Sequence, residues 1–204
     1  MQSDQIDDVA RTVLSLRVVE VDAQTDPRWE AFVTALPNGL IYHHPAWLQV
    51  LEDAYGCKPV NLACEDVNGQ FWGVLPLCYR RGLVTGHRFS SLPRTPVAGP
   101  LATDEYAMAT LVRAAVERTG DVRGAQLQLK VLSNTLDGLV DDLIGVPECT
   151  MYFLALPTQP ELLRMGNAAA TPRSRGRSIR QPGWVSRSAR LRQKMNFEPG
   201  MGCT

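Results

Sequence analysis

"PVNLACEDVNGQFWGVLPLCYR" (Pro59–Arg80) is the stretch that decides the fold. Two apolar runs flank Asn68-Gly69, a dipeptide suited to a tight reversal of the chain. They read as an antiparallel hairpin. The second run is apolar on both faces and belongs in the middle of a sheet. Pro76 lies inside it and brings no N–H to a ladder, which predicts a bulge or a local splaying of strands.

Upstream, "LRVVEVD" (Leu16–Asp22) predicts a short first strand. A helix follows, with Asp26 as its cap and Pro27 at its first position, where a missing N–H does no harm. Trp29, Phe32, Val33 and Leu36 recur at helical spacing and give it one apolar face. In "IYHHPAWLQVLEDAYG" (Ile41–Gly56), His44 stands at the cap of a second helix and Pro45 at its first position. Trp47, Val50, Leu51 and Ala54 form its expected buried stripe, and Gly56 ends it.

Downstream of the hairpin, "LVTGHRFSSLP" predicts a third antiparallel strand and "RTPVAGPLAT" a loop. Thr103 is the expected cap of a third helix, with Asp104 and Glu105 in its first turn and Met108, Leu111, Val112, Ala115 and Val116 on its apolar face. "AQLQLKV" alternates, with Leu127, Leu129 and Val131 on one side, as a half-buried strand does. "TMYFLALP" (Thr150–Pro157) predicts one more strand and "PELLRMGNAAA" the start of a helix.

The chain has 204 residues, 45% hydrophobic and 21% charged, a globular composition for one domain. No apolar run reaches about 18 residues, and "MQSDQIDDVA" has no apolar signal core, so a cytoplasmic location is expected. Five cysteines, odd in number and without CxxC spacing, read as free thiols. No metal site is expected, since no ligand pair has finger-like spacing.

A formal net charge of zero conceals a split. Residues 1–160 hold 12 basic and 19 acidic side chains, and residues 161–204 hold 9 basic and 2 acidic. The helical and strand periods dissolve after about Gly166. The expected organisation is therefore a folded unit over residues 15–165 and a basic, disordered tail over 166–204.

"IYHHPAWLQVLEDAYG", "GVLPL" and "SLPRTPVAGPLA", in this order, resemble the FemAB-like family of acyl- and aminoacyltransferases, which are built from two GNAT-like halves. The resemblance covers roughly residues 15–165 and corresponds to a first half. It implies an α+β fold: a GNAT-like mixed, largely antiparallel sheet flanked by helices. It also implies transfer of an acyl or aminoacyl group to an amine acceptor such as a cell-wall precursor peptide, with aminoacyl-tRNA as a donor. Where acetyl-CoA-binding GNAT proteins carry a basic, glycine-rich pyrophosphate loop, this chain has "PRTPVAGPLATDEYA", with Asp104 and Glu105 where phosphate would sit. No cofactor is expected. The loss of pattern near residue 165, in an Arg-, Gly- and Pro-rich text, reads as a truncated or frameshifted second half.

Four residues are candidates for substrate binding. Adjacent His43 and His44 point to opposite sides of an extended segment, so they do not chelate one metal. One is expected to face the core and the other, His44, a substrate cleft. Trp47 is the candidate wall of that cleft. Ser91 is a hydrogen-bond donor and Arg94 a cation for a phosphate or carboxylate. No partnered Ser-His-Asp set is visible, so no catalytic residue is named. Cys57 and Cys64 read as packing thiols. The alternative reading is a non-catalytic module whose basic tail contacts nucleic acid or a protein partner.

Overall fold

The computed structural model describes residues 15–82, 86–132, 136–141, 143–150 and 185–191, with side chains as far as residue 147. Along the chain come β1 (Arg17–Glu20), α1 (Pro27–Ala35), a 3-10 turn (Ile41–His43), α2 (Pro45–Tyr55), β2 (Lys58–Pro59), β3 (Leu62–Glu65), β4 (Phe71–Leu75), β5 (Cys78–Gly82), β6 (Gly86–Ser90) and β7 (Leu101–Ala102). α3 (Glu105–Gly120), β8 (Gln126–Val131), β9 (Leu143–Thr150) and β10 (Val185–Leu191) follow.

The fold is mixed α+β, but its strands form two sheets. One has the order β1-β3-β4-β7 and is antiparallel throughout. The other has the order β2-β5-β6-β8-β10-β9 and is antiparallel except where β6 lies parallel to β8. The run expected as one central strand around Pro76 is two strands, β4 in the first sheet and β5 in the second. Its partner run divides in the same place, β2 pairing with β5 and β3 with β4. Pro76 has no N–H with which to continue a ladder, and the hairpin changes sheet there. Among the described residues, one backbone bond bridges the crossing, from Val60 N–H to Leu77 O at 2.9 Å.

The hairpin turns where Asn68-Gly69 predicts, by another geometry. Gly69 has φ +78° and Asn68 does not share the left-handed conformation, so this is not the two-residue mirror-image turn. The Asp66 carboxylate accepts the N–H groups of Asn68 (2.8 Å) and Gln70 (3.0 Å) and closes a longer turn.

Apolar side chains fill two cores. On one side, Leu62, Cys64, Leu75 and Leu77 pack with Leu111, Val112 and Ala115 of α3 and with Phe89, Leu127 and Leu129. On the other, Ala63, Phe71, Val74 and Cys78 pack with Trp29 and Val33 of α1 and with Leu48 and Leu51 of α2. Leu127, Leu129 and Val131 are buried, as the alternation predicts. Asp26 caps α1 as expected, its carboxylate accepting the Arg28 N–H at 3.0 Å.

Four expectations are corrected. The stripe of α2 is rotated: Pro45, Leu48 and Leu51 are buried, whereas Val50 is 50% exposed and Ala54 faces solvent. α3 is capped by Asp104, which accepts the Ala107 N–H at 2.8 Å, while the Thr103 hydroxyl donates to Trp72 O. A strand stands where none was expected, at Leu143–Thr150, and tolerates Pro147 because it is an edge. Residues 185–191, placed in the expected disordered tail, form a strand between β8 and β9. The expected strand beyond Thr150, the helix after it and the rest of 166–204 lie outside the described residues, as does any contact of the basic tail with nucleic acid. No described helix is long and apolar enough to cross a membrane.

Gly73 marks the closest approach of β4 to α3. A Cβ there would lie 2.7 Å from Leu111 Cδ1 and 3.2 Å from Ala102 Cβ. Gly73→Ala is expected to cost roughly 1–3 kcal/mol by overpacking, read as a lowered urea midpoint with an unchanged far-UV spectrum.

Candidate functional site

The two adjacent histidines part company as the extended backbone requires. His43 is buried, 4% exposed. Its Nδ1 accepts the Leu40 N–H at 3.2 Å, which places the ring proton on Nε2, donating to Gly99 O at 3.0 Å. Its own carbonyl accepts the indole N–H of buried Trp29 at 2.8 Å. His43 thereby ties α1, the 3-10 turn and the loop before β7 together as a neutral imidazole. Burial holds its pKa below the usual range, against the pull of these two backbone bonds.

His44 stands at the start of α2. Its Nδ1 accepts the Ala46 N–H at 3.2 Å and its Nε2 lies 3.3 Å from Glu30 Oε1. The capping expectation holds, and the ring faces α1. Trp47, half-buried, packs edge-on to Tyr42 with centroids 5.5 Å apart, and its indole N–H has no partner among the described residues. Ser91 is fully buried. Its hydroxyl oxygen accepts the Lys130 N–H at 2.8 Å and its own N–H donates to Gln128 O, which carries the β6–β8 pairing one step past Ser90. Arg94 is exposed, with its guanidinium 5.3 Å from the Tyr55 ring centre.

These four positions do not form one cluster. His44 and Arg94 mark opposite ends of α2, separated along its axis by about 16 Å. None of the four lines the described cleft, which opens where the hairpin changes sheet. Leu48, Leu51 and Glu52 of α2 form one wall, and Cys57, Pro59 and Asn61 another. Leu77, Cys78 and Leu92 complete a cleft whose cavity volume is about 10 Å³, room for about one water.

Three features single out this cleft. Asn61 is 5% exposed, yet its side-chain amide bonds to no described residue; only its backbone carbonyl is used, by the Val21 N–H. Cys57 and Cys78 are both free and buried, and on the continued β2–β5 register they share a face. Burial pushes the Cys78 thiol up, and its neighbour Cys57 pushes it further. Finally, Leu92 and Arg94 have φ of +49° and +58°, a conformation costing roughly 1–2 kcal/mol in a residue with a Cβ. Lys130 Nζ holds this loop by donating to Leu92 O (3.2 Å) and Thr95 O (3.0 Å), and the Thr95 hydroxyl also donates to Leu92 O.

Asn61, Glu52, Cys78 and Leu92 were not among the sequence candidates. Asn61 was the most legible, a lone amide in an apolar run opposite a proline. Among the described residues no three metal-ligating side chains cluster.

Two outcomes are expected. The unfolded His43 imidazole titrates near 6.5 and the folded one lower. Its contribution to stability is therefore complete above about pH 6.5 and declines as pH falls towards the folded pKa, by at most about 1.4 kcal/mol per pH unit. Urea unfolding at pH 7.5 and 5.5 is expected to show a shallower pH dependence in His43→Gln than in the parent; equal slopes contradict a buried neutral His43. Cys57 and Cys78 are expected to resist a thiol-specific disulfide reagent at pH 8 in the folded chain and to react at once in denaturant.

Neither a family model nor a curated protein matches the chain.

Proposed function

We propose that the chain is an acyl- or aminoacyl-transferring half of the GNAT-like, FemAB type, with its reacting group bound in the cleft at the sheet crossing. The observation that carries this reading is the Asn61 amide, which lines the cleft at the gap between the paired strands and bonds to no described residue. The order of elements around the hairpin and the three sequence stretches quoted above support it.

The cleft's size limits what enters. Pockets that enclose a whole drug-sized ligand measure about 300–1,000 Å³. A cavity of about 10 Å³ has room for about one water-sized group, so the carbonyl oxygen of the acyl group enters and the body of its donor stays outside.

The reaction follows from these groups. An acceptor amine adds to the acyl carbonyl and a C–N bond forms. The carbonyl oxygen gains negative charge, and the Asn61 Nδ2–H donates to it, in water-poor surroundings where such a bond is strong. Half-buried Glu52 takes the amine's proton and returns it to the donor oxygen as the C–O ester bond breaks. Apolar Leu48, Leu51 and Leu77 keep competing water out.

The test supplies purified chain with an aminoacyl-tRNA or a small aminoacyl ester as donor and a lysine-containing stem peptide as acceptor, and looks for the acylated peptide by mass spectrometry. Transfer is expected, and Asn61→Leu is expected to lower it about 10²–10³-fold with the melting temperature little changed. Absence of transfer from both donors, or an unaffected Asn61→Leu, would falsify the assignment.

A further inference from the structure

Between Asp66 and Asp104 the chain has no acidic residue, and within that stretch lie Arg80, Arg81, Arg88 and Arg94. Antiparallel pairing of β5 with β6 sets Arg80 directly opposite Arg88, and Arg81 opposite His87. All three strand arginines are exposed, and none makes an ion pair with a described residue. By strand alternation, Arg80 and Arg88 share the face of Cys78 and Ser90. On the neighbouring strands the register sets Cys57 beside Arg80 and Gln126 beside Arg88, both uncharged.

Like charges directly opposite each other on a ladder destabilise a hairpin. Half-buried Glu52, in the cleft beside Cys57 and Cys78, makes no ion pair with either arginine among the described residues. A pair so placed costs the free protein stability, and an anion that binds between the two guanidiniums relieves it.

We propose that the β5–β6 ribbon is a phosphoryl-anion site, with Arg80 and Arg88 closing on one phosphate group. Each guanidinium presents a planar fork of N–H donors. A carboxylate's two oxygens are satisfied by one fork, whereas a phosphate presents enough oxygens for two. The Cα atoms of opposed residues lie about 4.5–5.5 Å apart, so both side chains reach a common point in front of the sheet. The site stands apart from acyl transfer, because the ribbon binds its anion whether or not the cleft turns over.

Two probes separate the sources of such a phosphate: inorganic pyrophosphate for a small phosphorylated molecule, and a short single-stranded oligonucleotide for a nucleic-acid backbone. Each is titrated into the full chain at low and high salt, beside Arg80→Gln, Arg88→Gln and, on the exposed side of α3, Arg113→Gln. Binding of at least one probe is expected, weakened about tenfold by either ribbon substitution and by salt, but unchanged in Arg113→Gln. Preference for pyrophosphate assigns a small-molecule phosphate; preference for the oligonucleotide assigns a nucleic-acid one. Without ligand, Arg88→Gln is expected to melt roughly 1–4 °C higher than the parent, which a merely structural arginine would not do. The proposal is overturned if neither probe binds, if the ribbon variants bind like the parent, or if Arg113→Gln loses as much.

Discussion

The crossing of one hairpin between two sheets, at Val60-Asn61 and Pro76-Leu77, is the constraint on which the rest of the structure depends. The single bridging hydrogen bond contributes only about 0.5–1.5 kcal/mol. Burial fixes the crossing far more strongly. Leu75 and Leu77 are almost wholly buried in the core under α3, while Val74 and Cys78 are buried in the core under α1 and α2. Each large apolar side chain so placed is stabilised by about 1.5–3 kcal/mol. The alternation itself runs unbroken through Pro76, so the proline's missing N–H, and not a change of face, places the break between the sheets.

Polar groups then fix the angle at which the helices meet this frame. Glu65, 3% exposed at the end of β3, accepts from Arg17 on β1 at 2.7 and 2.9 Å and from Arg28 on α1 at 2.9 Å. Arg28 also donates to Gly69 O and lies 4.4 Å from the Phe71 ring centre, so one side chain joins α1 to the hairpin turn. The two guanidiniums reach solvent, which lowers their desolvation cost, and the buried carboxylate has a partner on each oxygen. A carboxylate left unpaired there would be strongly unfavourable. His43 serves the other end of the frame in neutral form, with one donor and one acceptor matched to one carbonyl and one N–H.

Elements whose pattern is local were legible in the sequence. Asp26-Pro27 and His44-Pro45 read correctly as helix starts because capping is decided within a few residues. β8 read correctly because alternation survives burial on one face. The stripe of α2 was misread because Val50 and Leu51 are equally apolar; the neighbours that decide which of them is covered come from β3, β4 and the loop after β6. β10 was illegible for a stronger reason. "VSRSARL" has little strand propensity, and its conformation comes from ladders on both sides, with β8 and β9. The cleft was missed on the same grounds, because Asn61, Glu52, Cys78 and Leu92 are separated in sequence and meet only through the sheet crossing.

Strain around the cleft argues that the loop after β6 is more than a connection. A loop of its length is free to use glycine where the backbone turns left-handed, and Gly99 a few residues later shows that glycine is available to it. Leu92 and Arg94 occupy the left-handed positions instead. The cost, roughly 1–2 kcal/mol at each, is offset by Lys130, Thr95 and the Ser91 bonds. At Leu92 a side chain adds to the core under α1 and α2 and closes the cleft, which glycine would not; at Arg94 it adds nothing to a core and sets the cation over the Tyr55 ring. The opposed Arg80 and Arg88 follow the same logic two residues beyond Cys78. Strained loop and facing cations each lower the stability of the free chain, and both lie with the Asn61 amide on the face where the hairpin changes sheet. A fold selected only for stability would have removed them one by one, so their convergence there is the physical argument for a binding face.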